Sequence, residues 1–215
     1  MSIKGCIFDL DGVIVDTAKY HYIAWKRLAN ELGFDFTEED NEKLKGVSRI
    51  RSLELLLELG NKSVDDKTKL ELADRKNNWY VEYISKMDKS EILPGVENFL
   101  IKLKENGFKI ALGSVSKNAL TILKNVGLID YFDVIVDGTK VINAKPDPEV
   151  FLKGAEGLNL NPKECCVFED AIAGIQAAKK CNMKVIGVGS EEILSDADIV
   201  ICGFENVDID ILNFT

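Results

Sequence analysis

Lys4-Gly5-Cys6-Ile7-Phe8-Asp9-Leu10-Asp11-Gly12 is the stretch on which the reading of this chain turns. The run KGCIF is short and apolar, the pattern of a buried strand, and Gly12 permits a sharp turn after it. Two carboxylates spaced i, i+2 at a strand end are costly to hold together without a cation. A hard divalent ion such as Mg²⁺ would offset that cost, since it favours a few carboxylate oxygens plus substrate phosphate. Asp9 would then be able to attack a phosphoryl group, with Asp11 moving protons at the leaving oxygen. The bland alternative is a pair of turn-forming or helix-capping aspartates.

The rest of the chain bounds what such a site can serve. It has 215 residues, 46% of them hydrophobic, enough for a large domain or for a domain with a substantial insert. A net charge of −9 argues against nucleic acid or an anionic membrane as partner. An acidic protein that handles phosphate must concentrate positive charge locally, so individual Lys and Arg residues matter. The five cysteines (Cys6, Cys165, Cys166, Cys181, Cys202) show no metal-binding spacing. With no signal peptide in evidence, they fit reduced core residues in a cytoplasmic protein. No apolar run approaches membrane-spanning length.

Short β-rich runs recur at Lys109–Gly113, Asp133–Val136, Cys165–Phe168, Lys184–Gly189 and Asp198–Cys202. Helix-period segments such as Lys117–Val126, Pro148–Gly157 and Ala171–Lys180 lie between most of them. This alternation predicts a Rossmann-like α/β core, a parallel sheet covered on both faces. Gly107 and Gly127 suit helix C-termini. The interval from Gly12 to Lys109 is too long for one crossover and reads as helical throughout. Tyr22, Trp25, Ala29 and Leu32 form one apolar stripe, and Leu70, Ala73, Tyr80, Val81 and Ile84 form another. Thr37 to Asp40 has the form of a capping box. The simplest organisation is a core of residues 1–14 and 93–215 with an all-helical cap, 15–92, inserted after the first strand.

In open α/β sheets ligands bind beyond the carboxyl ends of the strands, and the informative polar residues of this chain fall there. After KIALG come Ser114, Ser116, Lys117 and Asn118, a hydroxyl and backbone N–H groups that would suit a phosphate. After CCVF come Glu169 and Asp170, and Lys145 stands ahead of a Pro-started helix. Taken singly, Ser114 and Asp170 could be helix caps and Lys145 a surface charge. Taken together they supply nucleophile, acid/base, metal ligands, phosphate hydroxyl and cationic clamp.

The elements FDLDG, GSVS, AKPDP and FED, in that order, resemble the signature set of the haloacid dehalogenase superfamily, and the helical insert resembles its small-cap subgroup. The resemblance spans nearly the whole chain. It implies an aspartyl-phosphate intermediate on Asp9 with Asp11 as acid/base. It also implies Mg²⁺ held by Asp9, the Asp11 backbone carbonyl, Asp170 and Glu169, with Ser114 and Lys145 on the transferring phosphoryl group.

In the predicted cap, Lys45-Gly46-Val47-Ser48-Arg49 precedes an apolar-periodic helix, a place for a second phosphate or simply a capped turn. His21 is the single histidine, a surface residue or a partner for Asp11 beside a hinge. Lys76 would ordinarily be a solvated helix charge. DTAKYHYIAWK, LKGVSR and RKNNWYV are similar to the sugar-phosphate mutase branch of the superfamily. That likeness implies exchange between β-D-glucose 1-phosphate and β-D-glucose 6-phosphate through the 1,6-bisphosphate. It places Arg49, Ser116 and Asn118 at the distal phosphate, with Lys117 among the substrate-binding residues. It places His21, Trp25, Gly46, Val47, Ser48, Ser52 and Lys76 along the sugar, with Lys45 a further substrate-binding residue. Two residues depart from the pattern: Val115 stands where alanine is usual, and Ala171 where serine is frequent. A sugar-phosphate phosphatase is the nearest alternative, and a non-catalytic sensor would be expected to lack one of the acids. The implied partners are small sugar phosphates, with neither nucleic acid nor membrane, and a monomer is the default.

Overall fold

The structure, a computed structural model, describes residues 2–44 and 47–214. Six strands form one parallel sheet: β1 (Gly5–Phe8), β2 (Lys109–Gly113), β3 (Val134–Val136), β4 (Cys165–Glu169), β5 (Lys184–Val188) and β6 (Ile199–Ile201). Their spatial order is β3-β2-β1-β4-β5-β6, so the first strand lies in the middle and the chain winds outward in both directions. This is the Rossmann-like architecture that the strand–helix alternation predicts. The run read as Cys165–Phe168 extends one residue, to Glu169, while the two edge strands are shorter than their apolar runs. Edge positions have one neighbour to pair with, so their ends are released earlier.

Alternation along each strand sorts the core by face. Cys6, Phe8, Ile110, Leu112, Cys166 and Phe168 point to one side, where Phe99 and Leu100 of α5 (Val96–Glu105) and Ile122 and Leu123 of α6 (Ala119–Val126) cover them. Ile7, Ala111, Cys165, Val167 and Val185 point to the other, beneath Phe151 of α7 (Glu149–Gly157) and Ile175 of α8 (Ile172–Lys180). Phe8 and Phe168 stack at 4.5 Å between ring centroids, 5° from parallel. Fully burying such a side chain contributes about 1.5–3 kcal/mol. Four cysteines are buried and Cys202 is exposed, all of them free.

Between β1 and α5 lie α1 (Ala18–Glu31), α2 (Glu38–Glu42), α3 (Arg49–Leu59) and α4 (Asp66–Ile84). Trp25, Leu28, Phe36, Leu53, Leu56 and Leu72 form their shared apolar centre. Thr37 and Asp40 make the capping box, which fixes the start of α2. At the base of these helices, Ala24, Tyr80 and Ile84 join the core of the nearer sheet face instead. The two crossings into the helices run side by side. Leu93 N–H donates to Ile14 C=O at 3.0 Å, Asp16 N–H donates to Glu91 C=O at 3.2 Å, and Val15 pairs with Ile92.

Candidate active site

Register brings the strand ends level. Phe8 lies opposite both Leu112 and Phe168, so Asp9, the Ser114 loop and Glu169 emerge along one edge of the sheet. Asp9, Ser114, Lys145 and Glu169 are all buried polar residues. Gly12 turns the chain away with φ +81°, and a Cβ there would sit 2.2 Å from Asp170 Oδ2. Glycine is required at that point by both backbone and space. The edge faces a cleft of about 440 Å³, bounded on the far side by α1, α3 and α4.

Lys145 bridges two acids, with Nζ 2.5 Å from Asp9 Oδ1 and 2.7 Å from Glu169 Oε2. Burial alone would weaken its hold on a proton, but the two carboxylates outweigh burial and the pKa is raised. Burial, opposed by Lys145, pushes Glu169 upward. The other oxygen of Glu169 accepts the Ala171 N–H at 3.1 Å, so this carboxylate is engaged at both ends. Ala171 heads α8 without a capping side chain. The reading of Asp170 as the cap of that helix therefore fails.

Carboxylate oxygens of Asp9, Glu169 and Asp170 lie within 4.8 Å of one another. An all-oxygen donor set at the mouth of a cleft fits a hard cation. Such an ion would also offset the mutual repulsion of these acids. Asp11, pushed up to about 6 by burial and by the neighbouring Asp9 carboxylate, lies outside this cluster.

Asp11 takes its hydrogen bond from the Thr17 hydroxyl. The sequence suggests His21 as a partner for Asp11; the structure instead sets His21 Nδ1 2.8 Å from Lys76 Nζ. Lys76 is 3% exposed, contrary to its reading as a solvated helix charge. Its ammonium lies 4.4 Å from the centre of the Trp25 ring and 4.8 Å from that of Tyr80, which replace water as its surroundings. Burial, reinforced by Arg49, lowers the pKa of Lys76 well below the lysine range. Burial, reinforced by Lys76 and Arg49, does the same to His21.

Ser114 does not cap α6 either. Its Oγ accepts the Ser116 N–H at 3.1 Å, and Ser116 Oγ accepts the Asn118 N–H at 3.3 Å. These turns carry the chain to a helix that begins two residues later than its apolar pattern suggests, at Ala119. This loop requires glycine at residue 138, since a Cβ there would lie 2.1 Å from the backbone carbonyl oxygen of Val115, whatever side chain residue 115 carries. Ser48 caps α3 through the Arg51 N–H, as its local sequence allows, and still lines the cleft beside Val47 and Arg49. Ser52, Trp25, Lys117 and Asn118 line it as well. Lys45 and Gly46, read as substrate contacts, lie outside the described residues. Thr17, Tyr80 and Asn77 belong to the site but were not singled out for it. The signal for Thr17 was its place between Asp11 and the first helix.

Fold and cleft together define a Rossmann-like α/β enzyme whose acidic sheet edge faces a helical insert. Residues 6–188 match the family of haloacid dehalogenase-like hydrolases, and the chain belongs to that family. It is 42% identical over 213 residues to β-phosphoglucomutase of Bacillus subtilis, covering 98% of this chain and 94% of that one. A crystal structure of β-phosphoglucomutase from Clostridium difficile is 47% identical and superposes with a TM-score of 0.93, covering 98% of this chain and 95% of the other. The phosphorylated carbohydrates phosphatase of Thermotoga maritima is 35% identical over 86% of this chain and 84% of its own. Among the described residues no helix is long and apolar enough to cross a membrane.

Proposed function

We propose that the protein is a phosphomutase that interconverts β-D-glucose 1-phosphate and β-D-glucose 6-phosphate. One observation favours this reading: the cleft that holds Asp9, Ser114 and Lys145 is also lined by Arg49, Ser116, Lys117 and Asn118, more cationic and hydrogen-bonding groups than one phosphate requires. A phosphatase needs only the reacting end. A mutase must hold either phosphate of a bisphosphate while the other reacts. The 42% identity to a β-phosphoglucomutase supports the same reading.

Asp9 attacks phosphorus of the 1,6-bisphosphate, the bond from phosphorus to the sugar oxygen breaks, and Asp11 gives its proton to that oxygen. In the return step Asp11 takes the proton of the acceptor hydroxyl, which attacks the aspartyl phosphate and frees Asp9. Ser114 and Lys145 bind the phosphoryl group in transit. Asp9, Asp170 and the Asp11 backbone carbonyl would hold Mg²⁺, with Glu169 beside them, and the ion would neutralise charge on the transferring group. Residues 15–92 act as a cap whose closure excludes water from the aspartyl phosphate. His21, Trp25, Val47, Ser48, Ser52 and Lys76 line the sugar. We take the enzyme to act on free sugar phosphates as a cytoplasmic monomer.

The test couples β-glucose 1-phosphate, catalytic bisphosphate and Mg²⁺ to detection of glucose 6-phosphate. The α-anomer and phosphate release run as controls. Isomerisation faster than phosphate release is expected, and Asp9→Asn should abolish it. Phosphate release alone would replace the mutase reading with a sugar-phosphate phosphatase.

A further inference from the structure

Asn118 Nδ2 donates to Asn77 Oδ1 at 3.1 Å, a hydrogen bond that joins the start of α6 to the middle of α4. Both residues line the cleft. We propose that Asn77 is a positioning residue that holds the Asn118 amide toward the non-reacting phosphate, an inference that rests on the two-phosphate reading above.

A side-chain amide has nearly the same shape at both ends and opposite polarity. Beside an anion only the NH₂ end attracts, so an asparagine there is useful in one of its two orientations. Asn118 is not committed elsewhere as a cap, for its side chain makes no bond to its own helix. Its backbone N–H is already taken by Ser116 Oγ. The Asn77 carbonyl oxygen accepts one of the two Nδ2 protons and leaves the second for a ligand. Arg49 and Lys117 bring charge to the same cleft, whereas Asn77 brings orientation. The bond also crosses from the helical insert to the sheet side, so opening the cleft there would release Asn118 to rotate.

The experiment is a double-variant cycle in an Asp9→Asn background, so that no phosphoryl group leaves during the measurement. Glucose 1,6-bisphosphate is titrated calorimetrically into proteins carrying Asn77→Leu, Asn118→Ala, both, or neither. Asn77→Leu should weaken binding about three- to tenfold where residue 118 is asparagine, the effect of one neutral hydrogen bond. It should weaken binding less than about twofold where residue 118 is alanine. Equal weakening in both backgrounds would mean a purely structural role and overturn the proposal, as would no weakening in either. Should Asn77→Leu fail to fold, Asn77→Ser, whose hydroxyl is too short to reach Asn118, takes its place in the same cycle. Failure of the wild type to isomerise sinks the mutase reading alone, because the binding cycle requires no turnover. Absence of bisphosphate binding in every background sinks both.

Discussion

Lys76 Nζ sits 2.8 Å from His21 Nδ1, a contact between residues 55 positions apart in the chain. While Lys76 carries its charge the ammonium can only donate, so in that state Nδ1 is the acceptor. The folded state binds the Lys76 proton less tightly than the unfolded chain does, because burial and Arg49 oppose the charge. The sign of the pH dependence follows. Between the lowered folded pKa and the ordinary value of about 10.4, the unfolded chain carries more protons, so stability rises with pH. Lys76→Met has no such titrating group. Urea unfolding of both proteins at pH 7 and pH 9.5 should show the wild type gaining on the variant as pH rises. A constant difference between them would refute the assignment.

Thr17, rather than His21, is the residue that hydrogen-bonds Asp11. Thr17→Val keeps the shape and removes the donor, so Asp11 loses the contact that orients it. Isomerisation of β-glucose 1-phosphate should slow about tenfold, part of the hundredfold or more that positioned acid/base groups contribute. Phosphorylation of Asp9 by acetyl phosphate should slow far less, since that leaving group needs no proton from Asp11. Rapid-quench labelling measures both rates. Equal slowing of the two would place the effect on Asp9 instead.

The difference between Thr17 and Lys76 shows what a linear pattern can carry. Strand positions were legible because buried parallel strands are nearly continuous apolar runs, and glycine marks their ends. Asp9, Ser114, Lys145 and Glu169 were legible because each follows such a run or heads a helix, and the sheet aligns those ends. Lys76 was not. Helix periodicity assigns a lysine to the solvent face, and its burial is supplied by Trp25 on another helix and by Tyr80 one turn on. The two-residue delay of α6 was hidden for a related reason. Ser114 and Ser116 hydroxyls each accept the backbone N–H two residues on, local turns that compete with helix over residues 114–118.

Asp74 lies on the cleft-facing side of α4, with Oδ1 3.6 Å from Arg49 Nη1. Its side chain is 77% exposed, so the pair is well screened and contributes little to stability. For ligand binding the sign is opposite, because a phosphate reaching Arg49 must compete with this carboxylate. Asp74→Asn should therefore tighten glucose 1,6-bisphosphate about two- to fivefold, within the range of a screened surface charge. The unfolding midpoint should hardly move. Titration at low and at 0.5 M salt checks the cause, since an electrostatic gain shrinks as salt rises. Weaker binding in the variant would show that Asp74 aligns Arg49 rather than competing for it.

Gly174, in the first turn of α8, leaves the room that Glu169 occupies. An added Cβ would lie 2.0 Å from Glu169 Cδ and 2.2 Å from its Oε2. The carboxylate cannot simply swing aside, since Lys145 and the Ala171 N–H hold its two oxygens. Gly174→Ala should cost about 1–3 kcal/mol in urea unfolding, the usual range for overpacking. It should also disturb Lys145, whose position depends on Glu169. In a Glu169→Ala background the obstructing carboxylate is gone, and the same glycine change should become nearly neutral. Gly203→Ala, where no atom lies within 4 Å of the added Cβ, is the matched control. A Gly174→Ala cost unchanged by the loss of Glu169 would show that the helix backbone, and not this carboxylate, requires the glycine.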